Sequence, residues 1–268
     1  MKKILRTIVC IFIIMVMCLL VLRYKGLDII SNNKYWKGYG TENNPYIISN
    51  VDDLLLLSQS VQGGELFKGV YFSQVNDIDL SGIEWIPIGE YSSGYYFSGI
   101  YNGNNHCIQN ITIMNESNEI TNAGLFGGLA GTVVNLGIES GELHGTYVGA
   151  IAASSAGEDS SIVNCYNKAT LIGTQRAGGI SDNFSNGNII NCINLGVVQA
   201  PVQGEIVAYS AKNLINISPV NHAWNDNFSG SYFQCVDEEP DIQFLNKGLD
   251  YFKEHEMFEE NSLSRWEF

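Results

Sequence analysis

SIVNCYN at Ser161 to Asn167 and NIINCIN at Asn188 to Asn194 are one pattern written twice: an apolar pair, an asparagine, a cysteine and, two residues on, a second asparagine. Working outward, the first asparagine recurs as Asn110 in CIQNITI, Asn135 in TVVNLGI and Asn216 in NLINISP, so that the series 110, 135, 164, 191, 216 has spacings of 25, 29, 27 and 25. A second mark lies upstream of each of the last four: AGLFG around Phe126, VGAIA around Ile151, AGGIS around Ile180 and QGEIV around Ile206, spaced 25, 29 and 26. Two marks that drift together define one structural unit repeated with loops of changing length, which is how a solenoid is written in sequence. Each unit consists of short runs with period-two apolarity and glycine-rich corners, too short for helices, and this predicts an all-β parallel β-helix with coils of about 25 to 29 residues.

In such a stack equivalent residues lie roughly 4.8 Å apart. Asn110, Asn135, Asn164, Asn191 and Asn216 are therefore expected to form a ladder whose side-chain amides bond to one another, while Ile111, Leu136, Cys165, Cys192 and Ile217 point the other way. If the ladder faces inward, each amide must be paired, because an unpaired buried polar group costs about 1 to 3 kcal/mol. Cys165 and Cys192 fall on equivalent positions, with Cα atoms inside the disulfide window but parallel Cβ vectors. Stacked thiols acting as small hydrophobes are the expectation, with a bridge as the alternative.

The 268 residues carry 28 acidic and 14 basic groups, a formal charge of −14, so nucleic acid is not an expected partner. The charge is uneven: residues 1–30 hold five bases and one acid, leaving 27 acids and 9 bases for the remainder. Between the basic flanks, Thr7 to Leu22 is free of charge, and Ile4 to Leu22 gives nineteen residues, about 28 Å of helix, enough to span a bilayer core. A cleaved signal peptide is the rival reading. No small-x-small cleavage site follows, however, and Met17 spoils a lipoprotein-type box before Cys18, which favours an uncleaved anchor through residues 4–22. Lys2, Lys3 and Arg6 outweigh Arg23 and Lys25, placing the N-terminus in the cytoplasm and the acidic remainder outside.

Residues 31–44 read as a tether and Pro45 to Ser49 as a first strand. A helix follows, with Ser49 and Asp52 resembling a capping box, Val51, Leu54, Leu55 and Val61 on one apolar face, and Gly63 and Gly64 ending it; it is expected to cap the stack. From Asp241 the spacing of Leu245, Leu249, Phe252 and Phe258 predicts a closing helical cap over 241–268. The expected organisation is thus an anchor over 1–30, a tether over 31–44, a capped β-helix over 45–240 and a C-terminal cap over 241–268.

The run GVYFSQVNDIDLSGIEWIPIGE at Gly69 to Glu90, then YFSGIYNGNNHCIQNITI at Tyr96 to Ile113, then AGLFGGLAGTVVNLGI at Ala123 to Ile138, resembles the GLUG-type β-helix repeat domains of bacterial surface proteins. Similar domains accompany immunoglobulin A-specific metallopeptidases. The resemblance covers about Trp36 to Ser218 and implies a right-handed parallel β-helix outside a bacterial cell. The peptidase members need a separate zinc domain, which this chain is too short to hold. HEMFE at His255 to Glu259 puts a glutamate where the second metal-binding histidine should be, which removes the protease reading.

Other chemistry is weakly signalled. The six cysteines form no C-x-x-C pair, and no metal or cofactor is expected. Asp77 and Asp79 in NDIDL project to one side of a strand, and with Glu84 they are the carboxylates to check for glycoside chemistry or calcium. The structural reading of that pair, as acceptors for backbone amides at the first coil, is stronger. Between Lys68 and Lys168 there is no lysine or arginine, Arg176 and Lys212 stand alone, and His106, His144, His222 and His255 have no partner at a telling distance in sequence. Tyr91, Tyr95 and Tyr96 in EYSSGYYF are the best candidates for an exposed patch on which a glycan or peptide could stack, with either Tyr95 or Tyr96 facing out and Phe97 packed. The expected function is a non-enzymatic surface module for binding or spacing; the alternative is a carbohydrate-active lyase or hydrolase on the same scaffold.

Overall fold

The computed structural model describes residues 36–114, 120–157, 160–184, 187–190 and 192–210, with the backbone of 216–217 and 234–235. The chain divides into two units, Met1–Trp36 and Lys37–Phe268. The described residues of the second unit form a parallel β-solenoid of about five turns with one helix, α1, over Val51–Gln62. The expected membrane span at Ile4 to Leu22 and the C-terminal helix over 241–268 lie outside the described residues. No helix among the described residues is long and apolar enough to cross a membrane.

Three parallel sheets build the stack. The first takes one strand from each pass of the chain, in the order Tyr46–Ile48, Tyr71–Gln74, Ile100–Gln109, Thr132–Ile138, Ser161–Val163, Asn188–Ile190 and Asn216–Ile217. A second sheet is built on Gly141–Gly149 and Thr170–Gly178, and a third on Phe126–Leu129, Ala152–Ser155, Ser181–Asn183 and Val207–Ser210. The register aligns Phe72, Tyr101, Val133, Ile162, Ile189 and Ile217, positions 29, 32, 29, 27 and 28 residues apart. The turns are therefore slightly longer than the asparagine spacing suggests. Part of the excess is a register shift between Asn102 and His106, which inserts residues into the Ile100–Gln109 strand relative to its neighbour Thr132–Ile138.

Packing follows from that register. Phe72, Phe97 and Phe126 are fully buried and run through the first two turns with ring centroids 5.7 and 5.1 Å apart, and Tyr101 meets Phe126 edge-on at 5.9 Å. Later turns fill the same interior with Val133, Ile162, Ile189, Ile151, Ile180 and Phe184. The register pairs Phe126 with Ala152, Ala152 with Ser181 and Ser181 with Val207, so the residue of AGLFG that matches Ile151, Ile180 and Ile206 is Leu125 and not Phe126.

Helix α1 lies between the strands Tyr46–Ile48 and Tyr71–Gln74, in the part of the pass where later turns place strands. Its N-cap is Asn50, whose side chain accepts from Asp53 N–H at 3.1 Å while Asp53 Oδ2 accepts from Ser49 N–H and Oγ; the Ser49 and Asp52 assignment is thus off by one. The buried face is Leu54, Leu57, Ser58 and Val61, with Val51 and Leu55 only half-buried. Ser58 Oγ donates to Ile86 O at 2.7 Å and Gln62 Nε2 to Pro87 O at 2.9 Å, so side chains of the helix satisfy carbonyls of the first turn that have no preceding strand beside them.

Candidate functional site

The three carboxylates singled out from sequence all accept hydrogen bonds from protein groups of the stack. Asp77 Oδ1 accepts from Cys107 N–H at 3.0 Å and lies 3.1 Å from His106 Nδ1. Asp79 Oδ1 accepts from Asn110 Nδ2 at 2.9 Å, Ser81 Oγ at 2.6 Å and Ser81 N–H at 2.9 Å. The Asn110 amide first, then the Ser81 hydroxyl and amide, hold this carboxyl below the usual carboxylate range. Glu84 Oε1 accepts from Met114 N–H at 2.7 Å. Each carboxylate thus ties the first turn to the second, and hydrogen bonding within the stack accounts for all three, exposed as they are. Among the described residues no group of three or more His, Cys, Asp or Glu could hold a metal ion.

The tyrosines sit on a short loop closed by an antiparallel bridge between Glu90 and Tyr95, with Glu90 N–H donating to Tyr95 O at 2.7 Å. Gly89 enters it at φ +75°, and a Cβ there would stand 2.5 Å from Tyr95 O, so only glycine fits. Tyr91 and Tyr95 are each 41% exposed. Tyr96 is half-buried and packs against Tyr91 with ring centroids 5.8 Å apart, and Phe97 is buried. Glu90 Oε1 gathers the loop, accepting from Ser92 N–H and Oγ, both at 3.0 Å, and from Asn122 Nδ2 at 2.7 Å; Asn122 Oδ1 in turn accepts from Ser154 Oγ at 3.2 Å.

The asparagines separate into two groups. Asn164 Nδ2 donates to Asn135 Oδ1 at 3.0 Å, and Asn135 Nδ2 donates to Asn102 Oδ1 at 3.1 Å. Both Asn135 and Asn164 are half-buried and sit at φ +54°, a left-handed corner that asparagine tolerates better than most residues, so they face the rim and not the interior. Asn110, also left-handed at φ +55°, belongs to the next corner: it bonds to Asp79, Ser81 and Ser140 and does not stand above Asn135. Asn216 is in register with Asn188, three residues before Asn191; Asn191 itself lies outside the described residues. Cys165 and Cys192 are buried, unbridged thiols on adjacent turns, as is Cys107 farther out. Burial, with Cys192 alongside, pushes the Cys165 thiol up; burial and the charge of Asp77 push Cys107 up to about 11.

Several interacting groups escape a sequence reading. Arg176 is not isolated: Nε and Nη2 each donate at 2.9 Å to a different oxygen of Asp182, which is fully buried, and the guanidinium lies 4.5 Å from the Tyr147 ring centroid and 4.8 Å from that of Tyr209. Burial raises the Asp182 carboxyl despite that partner. His144 pairs with Glu142, and Glu139 accepts from both Tyr166 Oη and Lys168 Nζ. The second asparagine of each N-C-x-N unit forms the fully buried rung, Asn167 Nδ2 donating to Asn194 Oδ1 at 2.9 Å and Asn194 Nδ2 to Glu205 Oε1 at 3.1 Å. A signal for one of these sets was present: Glu90, Asn122 and Ser154 are each 32 residues apart, close to one turn.

No family model matches the chain. It is 30% identical over 156 residues to Halomucin of Haloquadratum walsbyi, a match covering 54% of this chain and 2% of that protein. The chain therefore spans only a small fraction of the curated relative it matches. Among solved structures it is similar to an immunoglobulin A1 protease-like protein from Bacteroides ovatus, with a TM-score of 0.47 and 23% identity over 65% of this chain and 57% of that one.

Proposed function

We propose that this chain is a non-catalytic module of the bacterial cell surface, a right-handed β-helix of the GLUG type held at the membrane through residues 4–22 with its C-terminal part outside, and that it binds a surface ligand through the loop at Tyr91 to Tyr96. Helix α1 would close the first end of the stack and residues 241–268 the other. The observation that carries this reading is the contrast between the two candidate sites. Asp77, Asp79 and Glu84 are engaged with amides and hydroxyls of the stack, whereas Tyr91 and Tyr95 are held outward on a loop that the stack fixes from below. The partial match to Halomucin is compatible with a repeated surface module.

Two measurements test the proposal together. Protease treatment of intact cells should digest the acidic part of the chain while leaving the N-terminus protected. Incubation of the full chain in detergent with acidic and neutral polysaccharides should yield no new reducing ends and no unsaturated products. Turnover abolished by Asp79→Ala with the fold intact would replace the module by an enzyme.

A further inference from the structure

We infer that the Tyr91 to Tyr96 loop recognises a neutral pyranose glycan through its C–H faces, an inference that rests on the binding-module reading and narrows it to one ligand class. Three observations lead there. The first is preorganisation. Beyond the Glu90 and Tyr95 bridge, Gly94 N–H donates to Tyr91 O at 3.3 Å and Ser93 Oγ to Glu90 O at 3.2 Å, so the loop is closed on itself. Glu90 then ties it through Asn122 to Ser154, two turns away. A loop already ordered loses little freedom on binding, which is what a shallow site for a weakly held ligand needs.

The second observation is what the loop does not offer. The main chain that leaves the loop is paired with the stack: Phe97 N–H donates to Gly128 O at 3.0 Å, Ala130 N–H to Phe97 O at 2.8 Å and Ser98 N–H to Leu66 O at 2.8 Å. An extended peptide adding itself as a strand needs open main-chain donors and acceptors along an edge, and at Phe97 and Ser98, where the strand path resumes, they are taken. The large side chains that the loop turns outward are Tyr91 and Tyr95, ring surface with hydroxyls at its tips, flanked by the exposed Ser92, Ser93 and Gly94, with Tyr96 packed against Tyr91. Flat apolar faces bearing polar ends match a sugar ring, which has a C–H face and a hydroxyl rim.

The third is charge. Residues 60–100 contain five acids and a single base, Lys68, and no further lysine or arginine occurs before Lys168. Carboxylated or sulfated sugars would approach an uncompensated negative field, which selects for uncharged ones.

The experiment uses the full chain in detergent, titrated by calorimetry with hexasaccharides of β-linked glucose and of N-acetylglucosamine, and in parallel with polygalacturonate. Binding of at least one neutral hexasaccharide is expected, weakened about tenfold or more by Tyr91→Ala or Tyr95→Ala and retained by Tyr91→Phe, with thermal melting of every variant to confirm the fold. Failure of both neutral probes to bind, binding of polygalacturonate alone, or neutral binding indifferent to both alanine variants each overturns the inference. Capture of a protein ligand by the same loop without glycan binding would overturn the ligand class and leave the module standing, whereas cleavage of the hexasaccharide would overturn the module itself.

Discussion

Arg176 and Asp182 meet across a strand corner, six residues apart in sequence, with two parallel bonds of 2.9 Å and the carboxylate wholly out of solvent. The guanidinium is also the middle layer between Tyr147 of the preceding turn and Tyr209 of the following one. Burial alone disfavours both charges, and the pairing offsets that cost only while both partners are present.

Removing the cation should therefore be severe. Arg176→Met is expected to destabilise the fold by about 3 to 5 kcal/mol, and the double variant Arg176→Met with Asp182→Leu to recover a large part of the loss. Denaturant melts of the four members of the cycle decide; additive effects would show that the pair is not coupled.

The same pair has a pH signature. The folded Asp182 carboxyl is raised above its ordinary value of 3.8, so the folded state holds this proton more tightly than the unfolded chain. Its contribution is fully favourable below that ordinary value and is lost as pH rises through the folded one. In Arg176→Met the effect should enlarge, so the gap in Tm from the parent is expected to narrow as pH is lowered from 7 towards 4. Asp79 acts in the opposite sense: its carboxyl is lowered, so its contribution is present above 3.8 and lost as pH falls through the folded value, and Asp79→Asn should flatten the acid limb of the stability profile.

The asparagines can be separated by their backbone. Asn164→Gly keeps the left-handed corner and loses the side-chain bonding of Asn164, including the bond to Asn135, an expected cost of about 1 kcal/mol. Asn164→Leu adds the strain of a branched side chain at φ +54° and should cost about 1 to 2 kcal/mol more. Asn167→Leu deprives Asn194 and Ala169 of partners in the interior, and about 2 to 3 kcal/mol is expected. Equal losses for the glycine and leucine variants at 164 would discount the corner.

The period of the solenoid is legible because corners and interior repeat in the same residues: Asn135 and Asn164 at one bend, Leu136, Cys165 and Cys192 just inside it. Asn110 misleads because the bend of Asn135 is matched by the stretch between Asn102 and His106, whereas Asn110 and Ile111 stand at the following corner, where Ile111 pairs with Gly141 and the local sequence looks alike. The carboxylate roles needed the register, since each of Asp77, Asp79 and Glu84 bonds to a residue 30 or 31 positions away. Arg176 and Asp182 were invisible for the reverse reason: only a bend in the strand path turns six residues of separation into contact.

The thiols should differ in access. Cys165 and Cys192 are fully buried, and the Cys165 thiol is pushed up, so neither should react with a water-soluble disulfide reagent until the chain unfolds. Cys107, at 8% exposure and with its thiol pushed up to about 11, should react slowly and faster at alkaline pH. Rapid labelling of Cys165 or Cys192 under native conditions would mean that the turns open there.

A stack whose turns touch only their neighbours would yield to a pull along its axis by shedding one turn after another, each release being small. The column of Tyr147, Arg176 and Tyr209 interrupts that sequence, because its middle member is bound to the turn above, the turn below and a buried anchor in its own turn. Peeling from the C-terminal side would break the Tyr209 contact first and then, with the turn of Arg176, its contact to Tyr147, so the expected force trace has its largest steps there, and the part that carries the tyrosine loop lies beyond them.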